Sequence, residues 1–141
     1  MRIVPPAAYV ADTGTAKGRG VFAARAFAAG ELVELCPVLL FELPAPVAPL
    51  PLKHVLFNWR YLTGAPQPHA LVLGYGSLYN HDNPANMRYE GDAAIAAMRF
   101  IAVRDIEPDE ELTINYNAHG GGAMWADDAW FERMNIKPLI G

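Results

Sequence analysis

The sequence predicts a mostly β fold, built from short strands in irregular order with two short helices. Two observations predict the strands: brief apolar runs rich in Val, Leu, Ile and Phe recur at close spacing, and Gly, Pro and Asp signals separate them. A third removes the main alternative, because no βαβαβ rhythm is present to build a doubly wound nucleotide-binding sheet.

Val21 to Ala24 is the first strand, entered through Gly18-Arg19-Gly20. Ala28 to Glu31 turns the chain into Leu32 to Leu35, and Val38 to Phe41 follows after Pro37, which suits an edge or a bend. Leu43 to Leu52 is a proline-rich surface segment. Val55, Leu56, Trp59 and Leu62 recur at helical spacing and predict a short helix over Lys53 to Leu62, which Gly64 to Pro68 ends. Its Phe57, Trp59 and Tyr61 read as core or as a ligand cage, with core favoured. Ala70 to Gly76 returns to a buried strand. Met87 to Glu90 and Met98 to Val103 are the next two, joined through the Gly91-Asp92 turn. Pro108-Asp109 marks a β-turn before the strand Glu111 to Tyr116, which puts Leu112, Ile114 and Tyr116 on one face. Gly120 to Gly122 breaks the chain before a terminal helix over Trp125 to Met134, with Asp127 and Asp128 near its start.

Composition bounds the function. At 141 residues the chain suits one domain, which we place at residues 1–141 with a core of about 9–116 and a C-terminal segment over 117–141. Apolar residues make up 52% and charged residues 18%, a globular composition. A net charge of −4 argues against direct nucleic-acid binding and suits a basic peptide partner. Cys36 is the single cysteine, which excludes an intrachain disulfide and a multi-cysteine zinc site. Histidines 54, 69, 81 and 119 show no i, i+4 pair on a helix-like stretch, so no metal is expected. The most apolar window, Cys36 to Leu52, holds five prolines and Glu42 and cannot be a membrane helix. No secretory signal is visible, and the expected location is the cytoplasm.

The densest chemistry lies at Asn80-His81-Asp82-Asn83-Pro84-Ala85-Asn86, where amides, an imidazole and a turn former share seven positions. Lys17-Gly18-Arg19-Gly20 precedes it, read alone as a hairpin turn or as a place where a ligand approaches backbone. Leu73-Gly74-Tyr75-Gly76-Ser77-Leu78-Tyr79 leads into it, and Glu110-Glu111-Leu112-Thr113-Ile114-Asn115-Tyr116 follows. This order resembles the SET domain, the family of S-adenosylmethionine-dependent protein-lysine methyltransferases, and is most similar to its minimal viral and bacterial members. The resemblance implies small curved sheets of β-clip type and a C-terminal pseudoknot, in which the Tyr116 segment passes beneath the Asn80-His81 loop.

It also implies roles. The cofactor would be S-adenosylmethionine, held by Lys17, Gly18, Arg19 and Gly20 at its carboxylate, by Asn80 at its amino-acid moiety, and by His81 at adenine. Tyr116 would be the catalytic tyrosine, contacting cofactor and lysine alike. A phenol with an ordinary pKa near 10 is a poor base at neutral pH, so its work would be orientation and electrostatics. Tyr75, Tyr79 and, as a further candidate, Tyr89 would line the substrate channel, where aromatic faces favour a cationic amine. Trp130, ahead of Trp125, would cover adenine from the C-terminal segment. The partner is a protein or peptide bearing a lysine, histone-like or bacterial, and a homodimer is compatible with the family.

The sequence departs from the family at several positions. Asp82 stands where serine is usual, Ala85 separates Pro84 from Asn86, Asn115 replaces an aspartate, and Ile114 occupies a position where many members carry Phe or Tyr. That last change leaves the degree of methylation open. A catalytically silent peptide- or cofactor-binding module and a metal-assisted hydrolase using His81 and Asp82 are the competing readings.

Overall fold

The computed structural model describes residues 1–44, 52, 55–118, 120–134 and 136–138. Nine strands and two helices occur among them: β1 Ala8–Asp12, β2 Arg19–Ala23, β3 Leu32–Phe41, β4 Leu56–Asn58, α1 Trp59–Thr63, β5 His69–Val72, β6 Asn80–His81, β7 Met87–Asp92, β8 Ala97–Ala102, β9 Glu111–Ile114 and α2 Ala129–Met134. One sheet has the order β1-β2-β9-β6 and the other β4-β5-β3-β8-β7. The mostly β expectation holds. Every pairing is antiparallel except β6 with β9, which is parallel.

The two strands expected on either side of Pro37 are one strand of ten residues. It changes partner at the proline, pairing with β8 from Leu32 to Pro37 and with β5 from Val38 to Phe41. Register shifts between Leu32 and Glu34, so Val33 is a bulged residue. Both Val33 and Glu34 are therefore buried, and Glu34 joins Cys36 and Val38 on the inward face.

The helix expected over Lys53 to Leu62 is corrected. Lys53 and His54 lie outside the described residues, as does most of the proline-rich segment (45–51), while Leu56 to Asn58 form a strand paired with His69 to Leu71. Cross-strand hydrogen bonding overrides the helical spacing there. The helix begins at Trp59, capped by the Asn58 side chain on the Tyr61 N–H and ended by Gly64 at φ 76°. Trp59 is fully buried and Tyr61 is 66% exposed, so no cage forms between them. The terminal helix is also shorter than expected, starting at Ala129 rather than Trp125. β9 stops at Ile114, and Tyr116 lies in the turn beyond it.

Val21, Tyr79, Met87, Met98, Phe100, Ile106, Leu112 and Ile114 meet in the core between the sheets. Among the described residues, no helix is long and apolar enough to cross a membrane.

Candidate active site

The site is built around β9, which lies between β2 and β6. β2 pairs with it through Val21 and Leu112, while β6 sets Asn80 opposite Thr113 and His81 opposite Ile114. Three motifs distant in sequence thereby become neighbours.

The Asn80 amide nitrogen donates to the Arg19 carbonyl at 2.9 Å and to the Glu111 carboxylate at 2.8 Å. Two acceptors on one side orient the amide and leave Oδ1 as its acceptor end, with no donor on it among the described residues. Gly20 fits close beneath: a Cβ there would stand 2.5 Å from Glu111 Oε2 and 3.0 Å from Asn80 Nδ2. Gly18 serves a different need, a turn with φ 76° and open space where a Cβ would lie. Its N–H and carbonyl are used inside that turn, by the Thr15 carbonyl and the Thr13 N–H. Lys17 reaches across to donate to the His81 carbonyl at 3.1 Å, and Arg19 is exposed.

His81 braces the turn that follows β9. Its Nδ1 accepts the Tyr116 N–H at 3.0 Å, which places the ring proton on Nε2. That nitrogen is buried with no hydrogen-bond partner among the described residues. Burial pushes the His81 pKa down to about 4, against the opposing charges of Asp82 and Asp128. The ring packs edge-on to Phe131 at 4.5 Å and lies 5.3 Å from Tyr116.

The Tyr116 hydroxyl donates to the Tyr79 carbonyl at 2.6 Å. Burial and then the Glu111 charge push its pKa up to about 12, so the phenol stays protonated at neutral pH. Trp130 stands edge-on to its ring at 5.0 Å, and Phe131 stacks at 6.1 Å. Trp125 is 40% exposed, and its backbone is paired to the Asn83 side chain instead. The structure thus brings Trp130, not Trp125, to Tyr116.

The three channel candidates have different surroundings. Tyr79 is buried, with its hydroxyl on Glu34 at 2.6 Å. Tyr75 is half-buried and donates its N–H to the same carboxylate. Tyr89 is buried against Phe57 and Phe100, its hydroxyl donating to the Ala118 carbonyl at 2.7 Å. Ile114 is buried at 2% exposure. Among the described residues, no group of three or more His, Cys, Asp or Glu side chains could hold a metal ion.

Sequence reasoning missed four side chains that hold this arrangement: Glu34, Asn86, Glu111 and Asn117. Buried Asn86 acts as a side-chain extension of β6, exchanging bonds with Thr113 and donating to the Glu111 carbonyl. Fully buried Asn117 accepts the Trp130 N–H at 3.1 Å and donates to Asp128 at 3.2 Å. Asn86 and Glu111 stand within the motifs but carried no role of their own, and Glu34 is visible as an acid within an apolar strand.

Comparison with known proteins agrees with this geometry. The SET-domain family profile matches residues 18–117. A Schizosaccharomyces pombe histone-lysine N-methyltransferase, specific for H3 lysine-37, is 31% identical over 126 residues, covering 86% of this chain and 79% of its own. A Plasmodium falciparum protein assigned as a histone methyltransferase superposes with a TM-score of 0.62 at 25% identity, over 80% of this chain and 95% of that one. A chain of ctPRC2, solved with H3K27me3 and H3K27M, shares the fold at a TM-score of 0.55 and 18% identity, covering 86% of this chain and 16% of that one. The chain belongs to the SET-domain family and is a protein-lysine N-methyltransferase.

Proposed function

We propose that the protein transfers a methyl group from S-adenosylmethionine to the ε-amino group of a lysine in a histone-like protein. The observation that carries this reading is the Tyr116 hydroxyl, held on the Tyr79 carbonyl beside the Asn80-His81 strand.

The residues present fit the cofactor. Asn80 offers an acceptor, Oδ1, suited to the cofactor's ammonium, with the Glu111 carboxylate behind it. Lys17 and Arg19 provide positive charge for its carboxylate, and Gly18 and Gly20 shape the turn that carries them. Trp130, beside Tyr116, is the aromatic surface for adenine, and His81 holds the intervening turn. The bound cofactor would supply an electrophilic sulfonium methyl.

Methyl transfer to an amine is an in-line displacement, so positioning dominates the acceleration. Tyr116 spends its proton on Tyr79 and keeps its oxygen lone pairs for the polarised methyl and the incoming amine. With a pKa near 12 it does not take the lysine proton, which leaves to water before attack. Tyr75, Tyr79 and Tyr89 are assigned to the lysine channel: Tyr79 lends its carbonyl to the Tyr116 hydroxyl, and Tyr89 is held by its own hydroxyl on the Ala118 carbonyl. The segment beyond residue 117 serves as the lid.

Calorimetric titration with S-adenosylmethionine tests the cofactor. Binding well below millimolar is expected, and no heat with no thermal shift at saturation would overturn the reading. Tyr116→Phe should keep that affinity while transferring methyl to recombinant histone H3 about 100-fold more slowly or worse, the scale of losing one preorganised polar contact to the transition state. An unchanged rate removes Tyr116 from its role.

A further inference from the structure

Glu34 is a buried carboxylate that belongs to none of the four ion pairs among the described residues. A buried charge is tolerated only when donors surround it. Here Oε1 accepts the Tyr79 hydroxyl at 2.6 Å and Oε2 accepts the Tyr75 N–H at 3.0 Å. The Cys36 thiol adds a third interaction, and its pKa is raised by burial first and by the Glu34 charge next. Backbone also closes in, because a Cβ on Gly74 would stand 2.5 Å from Oε2. The bulge at Val33 is what turns this acid inward.

The consequence lies at the other end of Tyr79. Its hydroxyl is fixed by Glu34, and its carbonyl accepts the Tyr116 hydroxyl at 2.6 Å. One residue is therefore tied at both ends, and the turn 73–78 that delivers it is tied at Tyr75 by the same carboxylate. The Tyr75 N–H can only donate, so it needs an acceptor. A carboxylate accepts from both groups, whereas an amide of the same size that keeps its oxygen on Tyr75 turns its NH2 toward Tyr79, whose hydroxyl must then reverse from donor to acceptor and re-aim.

We propose that Glu34 is a positioning residue, setting the place of the Tyr116 hydroxyl through Tyr79. This rests on the methyl-transfer reading above. The effect is conformational and passes through two hydrogen bonds, so Glu34 itself touches neither substrate nor cofactor.

Two readouts test it on the full chain. In ligand-free protein labelled with 13Cζ-tyrosine, the Tyr116 resonance is assigned by its loss in Tyr116→Phe. Glu34→Gln and Tyr79→Phe should each shift it, and an unmoved resonance in both overturns the proposal even if no methyl transfer is ever detected. In the transfer assay with S-adenosylmethionine and histone H3, Glu34→Gln should lower kcat by about 10- to 100-fold, the scale expected for a reacting group displaced by about 1 Å. The affinity for S-adenosylmethionine should stay within about threefold. Placed on Tyr116→Phe, the same change should alter kcat by less than about twofold, because the hydroxyl it positions is gone. Full additivity of the two losses would show a general structural role and refute the proposal. Should Glu34→Gln not fold, Tyr79→Phe removes a single oxygen and is read by the same two criteria.

Discussion

Gly20→Ala and Gly18→Ala should separate a contact from a conformation. At position 20 the new methyl group falls 2.5 Å from Glu111 Oε2 and 3.0 Å from Asn80 Nδ2. Glu111 is half-buried, so its carboxylate can swing away and recover water. What it loses is a hydrogen bond to Asn80, of a kind worth about 1.5–3 kcal/mol when one partner is charged. With partial rehydration the lower end applies, about 1.5 kcal/mol, which is about tenfold in the affinity for S-adenosylmethionine. At position 18 the methyl group meets nothing within 4 Å, but the residue must adopt φ 76°. The left-handed conformation costs a side-chain-bearing residue about 1–2 kcal/mol, lowering Tm by about 2–8 °C for a domain of this size. Titration calorimetry and thermal melting, run on both variants, read the two effects separately. A Gly20→Ala protein that binds the cofactor as tightly as wild type, or a Gly18→Ala protein that melts unchanged, would refute the division of labour.

Asn117→Ala leaves the Trp130 N–H without its acceptor and empties a fully buried site. It should cost about 1–3 kcal/mol in denaturant unfolding and raise Trp130 fluorescence quenching by iodide. Gly121→Ala would drive a methyl group into the Tyr89 carbonyl, at a residue with φ 80°, so the C-terminal segment must leave its place. Proteolysis after residue 117 should then be rapid. Stability should also fall on mild acidification because of His81. Its folded pKa, about 4, is below the ordinary 6.5, so the unfolded state binds the proton more readily. The stabilisation is complete above pH 6.5 and is lost as pH falls toward 4, amounting to about 2 kcal/mol by pH 5. Urea titrations at pH 7 and 5 should show this difference in wild type and not in His81→Gln.

The strands were largely legible because Val, Leu and Ile runs bounded by Gly and Pro have few other uses. Partners were not. Nothing local to Leu56-Phe57-Asn58 announces that it will pair with His69 to Leu71, so the helical spacing of Val55, Leu56, Trp59 and Leu62 was the stronger local signal. The bulge at Val33 was hidden for a similar reason: a plain alternation puts Glu34 on the face opposite Val33, and one extra residue reverses that. At the site, the types of residue could be read but not their orientation. The chemistry of Asn80 and His81 marks them in the sequence. Which atoms they spend on protein and which they leave for a ligand depends on Arg19, Glu111 and Tyr116, at sequence separations of 61, 31 and 35. Asn86 is one amide among several in its cluster and Asn117 lies outside every motif, and only burial shows both to be struts.

The parallel pairing of β6 with β9 explains why so small a ladder can define a site. Parallel neighbours cannot be joined by a tight turn, so the chain between them must make a long excursion, here through β7 and β8. That excursion lets the end of β9 arrive beside the turn that follows β6. Two residue pairs would fix the register weakly, and a one-residue slip would reverse every side chain on the strand. Three side-chain bonds remove that freedom. Asn86 accepts the Thr113 N–H, its own amide donates to the Glu111 carbonyl, and His81 accepts the Tyr116 N–H. Each is satisfied in only one register. Tyr116 therefore meets the Tyr79 carbonyl because asparagine and histidine side chains complete a ladder that backbone alone leaves two pairs long.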